Sequence, residues 1–115
     1  MTTQLLVIDI GTSSVRATVD GAHGSVTHEE VRQTLPDTPA PGLVEFDATA
    51  LSDAALDAAR ATLAASGPVA GVGVANQRAS TVVWDAETGR PVAPAIGWQD
   101  LRTVGDCLVC LLYTS

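Results

Sequence analysis

Leu5-Leu6-Val7-Ile8-Asp9-Ile10-Gly11-Thr12-Ser13-Ser14-Val15-Arg16-Ala17 reads as two strands joined by a turn. An apolar run ends in an aspartate, one glycine and three consecutive hydroxyl residues follow, and an extended pattern resumes through Val15, Ala17 and Val19. Such a β-hairpin has a turn suited to phosphate. Gly11 lets the backbone turn without a Cβ clash, while successive amides and the hydroxyls of Thr12, Ser13 and Ser14 donate to phosphate oxygens. Asp9 at the strand's end suits a magnesium ion, which takes few carboxylates and fills its shell with water and phosphate oxygen. Arg16 adds a permanent positive charge within reach of a terminal phosphoryl group. The plainer reading of the same stretch is an ordinary hairpin with a Ser/Thr-rich turn.

Composition limits what surrounds this hairpin. The 115 residues suffice for one modest domain or a piece of a larger one. Hydrophobic content of 46% with only 3% aromatic leaves Ala, Val and Leu to fill the core, as in α/β domains, and argues against disorder. The formal charge is −7 and all six basic residues are arginine. Bulk charge therefore offers nothing to nucleic acid or an anionic membrane, and phosphate binding has to be local. No stretch reads as a secretory signal or a membrane span, so a cytoplasmic location is the expectation. Cys107 and Cys110 form a single C-x-x-C with no second Cys/His pair, and His23 and His28 lie far upstream, so no metal or redox site is expected there.

Strands are expected over residues 4–9, 15–20 and 25–33, forming an antiparallel meander with the third at an edge. Asp20-Gly21-Ala22-His23-Gly24 is the second turn, its glycines expected to supply positive φ. Pro36, Pro39 and Pro41 mark an irregular loop, and Leu43–Phe46 a short extended piece. An alanine-rich helix is expected over residues 48–65, capped by Asp47 or Ser52 and stopped by Gly67-Pro68. Leu56, Ala59 and Leu63 mark one face of it, and Asp53, Asp57 and Arg60 another. Residues 69–75 form an apolar strand, expected in the middle of a covered sheet, with the helix as the crossover. Residues 80–85 read as extended, with a turn at Ala86-Glu87-Thr88-Gly89 and a new helix from near Asp100.

The common nucleotide motifs fail. A chain without lysine has no G-x-x-x-x-G-K-[ST] loop. Gly71-Val72-Gly73-Val74-Ala75-Asn76 lacks the third glycine of a dinucleotide fingerprint, and its glycines read as strand positions where another backbone packs closely. The Asp9–Arg16 turn remains as the phosphate site.

With these residues in view, D-I-G-T-S-S-V-R-A at residues 9–17 resembles the first phosphate motif of the actin, heat-shock chaperone and sugar-kinase superfamily. Within it the chain is similar to the FGGY carbohydrate kinases, and most of all to their glycerol kinase branch. The second match runs G-V-A-N-Q-R-A-S-T-V-V-W-D from Gly73, then T-G-R-P from Thr88, then A-I-G-W-Q-D-L-R-T from Ala95. The resemblance covers about residues 4–109.

It implies a ribonuclease H-like α/β fold with a mixed sheet, and ATP-dependent phosphorylation of a small polyol or sugar with Mg²⁺. Asp9 would serve the metal, Thr12, Ser13 and Ser14 the nucleotide phosphates, and Arg16 the transferred group. Arg78 matches the arginine that grips substrate hydroxyls, and Trp98 the tryptophan that packs on polyol carbons. On their residues alone, Arg78 also reads as a surface arginine and Trp98 as a partly buried core aromatic. No catalytic residue is expected in this chain, because the family's general-base aspartate and its adenosine-binding motifs lie far downstream. Asp85 and Asp100 are assigned to turn and helix-start duties.

One departure stands out. Ala79 occupies the position where glycerol kinases carry a glutamate that accepts from glycerol hydroxyls. A non-kinase ATPase of the same superfamily, or a silent kinase-derived binding protein, are the competing readings. The full-length protein is compatible with a homo-oligomer. The final hexapeptide, residues 110–115, resembles the translation of a sequencing-library transposon adapter. Residues 1–109 are thus expected to be part of the N-terminal kinase domain, and 110–115 a non-native tail.

Overall fold

The computed structural model describes residues 3–114; Met1, Thr2 and Ser115, the last residue of the expected tail, lie outside it. The hairpin is present as read. Strand β1 (Leu5–Ile10) pairs antiparallel with β2 (Ser14–Asp20), and β2 with β3 (Val26–Gln33). Helix α1 (Ala48–Ser66) then crosses to β5 (Gly71–Asn76), which lies parallel to β1. The sheet order is β3-β2-β1-β5, a meander extended by one parallel strand. The short strands β4 (Glu45–Phe46) and β6 (Ala95–Ile96) pair separately, and α2 (Val104–Thr114) follows.

Strand alternation sorts the sheet into two faces. Leu6, Ala17 and Val19 point towards α1 and close on Ala58 and Ala59, with Ile8, Leu63 and Val69 at the margin. Alanines at the contact let the helix approach the sheet closely. Thr62 is buried among them because its hydroxyl donates to Ala58 O (2.8 Å) and Ala17 O (3.3 Å). At the helix start Asp47 Oδ1 accepts from the amides of Thr49 (2.9 Å) and Ala50 (3.0 Å). Such a cap contributes about 1 kcal/mol. At its end Gly67, at φ +84°, donates to Leu63 O. Asp47 is therefore the cap, and Ser52 sits inside the helix.

Several expectations are corrected. Leu56 is exposed, and the buried face of α1 is Ala55, Ala58, Ala59 and Thr62. Strand β5 forms an edge of the sheet in this chain, with Val72 and Val74 59% and 64% exposed. No backbone crowds its glycines: a Cβ at Gly73 would meet nothing within 4 Å, and one at Gly71 only a Leu5 methyl at 3.4 Å. In the second turn Gly24 has positive φ, but Gly21 does not, and His23 takes the left-handed conformation instead. Residues 80–85 make only isolated bridges, Thr81 to Ile96 and Trp84 to Pro91.

The last helix begins at Val104, so Asp100 does not start it. The Asp100 carboxylate, with its side chain 1% exposed, accepts from Val44 N (2.6 Å) and from Arg102 N (2.8 Å), Nε (2.8 Å) and Nη2 (2.7 Å). Arg102 also reaches Glu45 Oε1 at 2.8 Å. This cluster clips the segment around β4 to the loop after β6. Its arginine hydrogen bonds hold Asp100 well below the usual carboxylate range. Asp85 keeps its turn role, accepting from Glu87 N (2.8 Å) and Thr88 N (2.9 Å).

Candidate phosphate and substrate site

The hairpin tip is built by one close approach. Gly11 N donates to Ser14 O at 2.9 Å, and a Cβ on residue 11 would stand 3.0 Å from that same oxygen. Glycine is what the turn accepts. Thr34 N donates to Ser13 O (2.9 Å), fixing the tip against the end of β3. Among the described residues the amides of Thr12 and Ser13 donate to no backbone oxygen, which leaves them for an anion. Ser13 is exposed, whereas Thr12 and Ser14 are half-buried.

Asp9 and Arg16 are direct cross-strand partners, and Asp9 faces Ala75 on its other side. Both lie on the sheet face turned away from α1, and both are exposed. Arg16 Nη1 stands 3.7 Å from Glu29 Oε2, a pair in which both side chains are substantially exposed. Solvent screening makes that contact weak, so the guanidinium is free to turn towards a phosphate. Among the described residues no group of three His, Cys, Asp or Glu side chains gathers in the manner of a metal cage, and Cys107 and Cys110 are exposed and unpaired with one another. A lone exposed carboxylate beside a phosphate cradle fits Mg²⁺, which would take its remaining ligands from phosphate and water.

The second wall comes from the segment after β5. Gln77 N donates to Ile10 O (3.1 Å), prolonging the β1–β5 pairing, and its side-chain Nε2 donates to Gly11 O (3.3 Å). The Ser80 hydroxyl donates to Gln77 Oε1 (2.9 Å) and accepts from Trp98 N (3.2 Å). The Trp98 indole Nε1 then donates to Thr12 Oγ1 at 3.1 Å. Arg78 sits exposed within this segment, and Ala79 beside it has φ +59°. Trp98 is 54% exposed in this chain.

Of the residues singled out by sequence, Asp9 to Arg16 lie on the hairpin, Trp98 is joined to it through Thr12, and Arg78 sits in the segment that Gln77 and Ser80 tie to both, with no hydrogen bond of its own to either among the described residues. A cleft of about 320 Å³ borders the junction, lined by Thr12, Thr34, Phe46 and Gln77 among others. A larger one of about 450 Å³ lies between residues 45–49 and 91–94 and contains none of these site residues. Sequence reading passed over Gln77 and Ser80. The available signal was a polar side chain immediately after a strand, inside the N-Q-R-A-S block, in which the family resemblance assigns a role to Arg78 alone.

Comparison with known proteins bears on the family and the fold. Residues 4–109 match the FGGY family of carbohydrate kinases, N-terminal domain. A glycerol kinase of Trichlorobacter lovleyi is 44% identical over 111 residues, a match spanning 90% of this chain and 22% of the relative. The chain therefore spans about a fifth of the length of the curated relatives it matches. A xylulose kinase from Rhodospirillum rubrum superposes with a TM-score of 0.86 at 26% identity, covering 97% of this chain and 23% of that one. For Plasmodium falciparum glycerol kinase with ADP the TM-score is 0.89 at 21% identity, over 99% and 24%. The fold is that of the ribonuclease H-like sugar kinases. By sequence match and by architecture, the chain belongs to the FGGY family of carbohydrate kinases, in its N-terminal domain, and is glycerol kinase-like.

Proposed function

We propose that the whole protein to which this chain belongs transfers the terminal phosphoryl group of ATP to a hydroxyl of a small polyol or sugar. The observation that supports it most is the hydrogen bond from the Trp98 indole to Thr12, which sets the expected acceptor wall directly against the phosphate turn. In this reading the amides and hydroxyls of Thr12, Ser13 and Ser14 receive phosphate oxygens, and Arg16 neutralises the group in transfer. A Mg²⁺ ion carried by Asp9 and the nucleotide would supply further charge neutralisation. Arg78 donates to acceptor hydroxyls, while the Trp98 ring covers the carbon side and keeps water off it. With Ala79 at the neighbouring position no carboxylate from that residue accepts from the hydroxyls, which favours an acceptor larger than glycerol. A cytoplasmic location, where ATP is at hand, belongs to this reading. The family match, which ends at residue 109, supports assigning 110–115 to a tail outside the domain.

The test is ADP release by the full-length protein over a panel of polyols and sugars. Turnover with at least one acceptor is expected, and ATP consumption that no acceptor stimulates would sink the kinase reading.

A further inference from the structure

We propose that Gln77 and Ser80 are positioning residues that couple the acceptor wall to the phosphate turn, holding the Thr12 hydroxyl as a donor for phosphate. This rests on the kinase reading above. The contacts form a closed circuit: Gly11 O to Gln77 Nε2, Gln77 Oε1 to the Ser80 hydroxyl, Ser80 Oγ to Trp98 N, and Trp98 Nε1 to Thr12 Oγ1, which rejoins Gly11 through the chain. Donor and acceptor roles around it leave one solution. An indole N–H only donates, so Thr12 Oγ1 must accept, and its own proton points away from the ring. Among the described residues that hydroxyl donates to nothing, so the proton remains for an incoming oxygen.

The Gln77 amide is fixed in the same way. Turned over, it would set its oxygen against the carbonyl of Gly11 and lose that bond. Ser80 in turn must give its one proton to Gln77, because the Gln77 Oε1 that faces it can only accept, while the Ser80 oxygen keeps a lone pair for the Trp98 amide. The left-handed backbone of Ala79 is what folds Ser80 back to within hydrogen-bonding distance of Gln77, three residues earlier. An acceptor molecule packing on the Trp98 ring therefore bears on a group whose far end orients the phosphate-binding hydroxyl.

Kinetics of the full-length protein and its Ser80→Ala, Ser80→Thr and Gln77→Leu variants test this. Ser80→Ala should lower kcat about tenfold, the effect of roughly one hydrogen bond's worth of positioning, with the acceptor KM little changed. Ser80→Thr keeps the hydroxyl and should restore the rate. Gln77→Leu should cost a similar factor, and the double variant no more than the larger single one, because both break one circuit. A readout besides activity is the Trp98 indole N–H resonance, assigned by its loss in Trp98→Phe. Its hydrogen exchange should accelerate in Ser80→Ala and not in Ser80→Thr. An active wild type whose Ser80→Ala variant keeps kcat and indole protection overturns the coupling alone. A rise in KM at constant kcat also overturns it, since Ser80 would then serve acceptor binding only. A wild type inactive on every acceptor overturns both readings.

Discussion

Asp9 and Arg16 stand opposite one another across the first hairpin, one negative and one positive, at the mouth of a turn in which the Thr12 and Ser13 amides donate to no backbone oxygen among the described residues. Neither packs in the core, so neither is needed for folding, and their removal should be read in chemistry. Asp9→Ala or Arg16→Ala in the full-length protein should lower turnover by about two to four orders of magnitude while leaving thermal stability close to wild type. Unchanged turnover in both would return the hairpin to a structural role. Ala79 allows a second test at this scale. Its φ of +59° is strained for any residue with a Cβ, so exchanging alanine for glutamate adds no new backbone cost. Ala79→Glu should raise kcat/KM for glycerol about ten- to a hundredfold, the equivalent of one charged hydrogen bond. Efficient use of glycerol by the wild type, with no gain in the variant, would mean that another group supplies the acceptor. Asp9 and Arg16 were singled out because charge and spacing beside the Gly11 turn are written in the chain, and Arg78 only through the resemblance to a known family. Gln77 and Ser80 were not, since a neutral side chain declares its role only when its partners, here Gly11 and Trp98, are brought up by the fold.

Among the elements, the Asp100–Arg102–Glu45 clip joins two segments that the main sheet does not hold. The Asp100 pKa is depressed in the folded state, chiefly by Arg102, so its contribution to stability is complete above its unfolded value and is lost as pH falls through the folded one. Asp100→Asn should lower the melting temperature by several degrees at neutral pH. The gap between wild type and variant should hold down to about pH 4 and narrow below it. Urea or thermal unfolding across that range checks the sign; a gap that widens on acidification would refute the assignment. Sequence showed Asp100 only as an acid near a helix start, because the groups that make it a clip are remote: Val44 lies 56 residues from Asp100, and Glu45 lies 57 from Arg102. The local devices were read correctly for the opposite reason: the Gly11 turn, the Asp47 cap and the Gly67 stop are each settled within a few residues. The inward face of α1 was misread at Leu56 because so many alanines leave little contrast between faces, and a β-sheet contact chose Ala55 and Ala58 over the larger side chain.

Over the whole molecule, apolar surface is left uncovered in a directional way. Val72 and Val74 on β5 are exposed towards the helix side of the sheet, and along α2 Leu108, Val109, Leu111 and Leu112 are all exposed. Helix α1 packs on β1, β2 and β3 and makes no comparable cover for β5. Exposed valines on a sheet edge and an exposed apolar helix are two features that destabilise an isolated domain and promote association. The relatives are more than four times longer than the matched segment, each covered to 22%. In the kinase reading the phosphate cradle here is one-sided, a hairpin tip whose opposing acid is expected from sequence far downstream. These observations lead to one expectation for the 115-residue chain expressed alone. It should bind a hydrophobic dye such as anilinonaphthalene sulfonate, unfold at a lower temperature than the full-length protein, and show phosphoryl transfer at least about four orders of magnitude below it, since the positioned charges that stabilise the transition state are incomplete. Dye fluorescence, calorimetry and a coupled ADP assay on the purified chain measure all three. Transfer at a rate near that of the full-length protein would mean that the hairpin, Arg78 and Trp98 assemble a sufficient site by themselves, and the division of labour argued for this domain would fall.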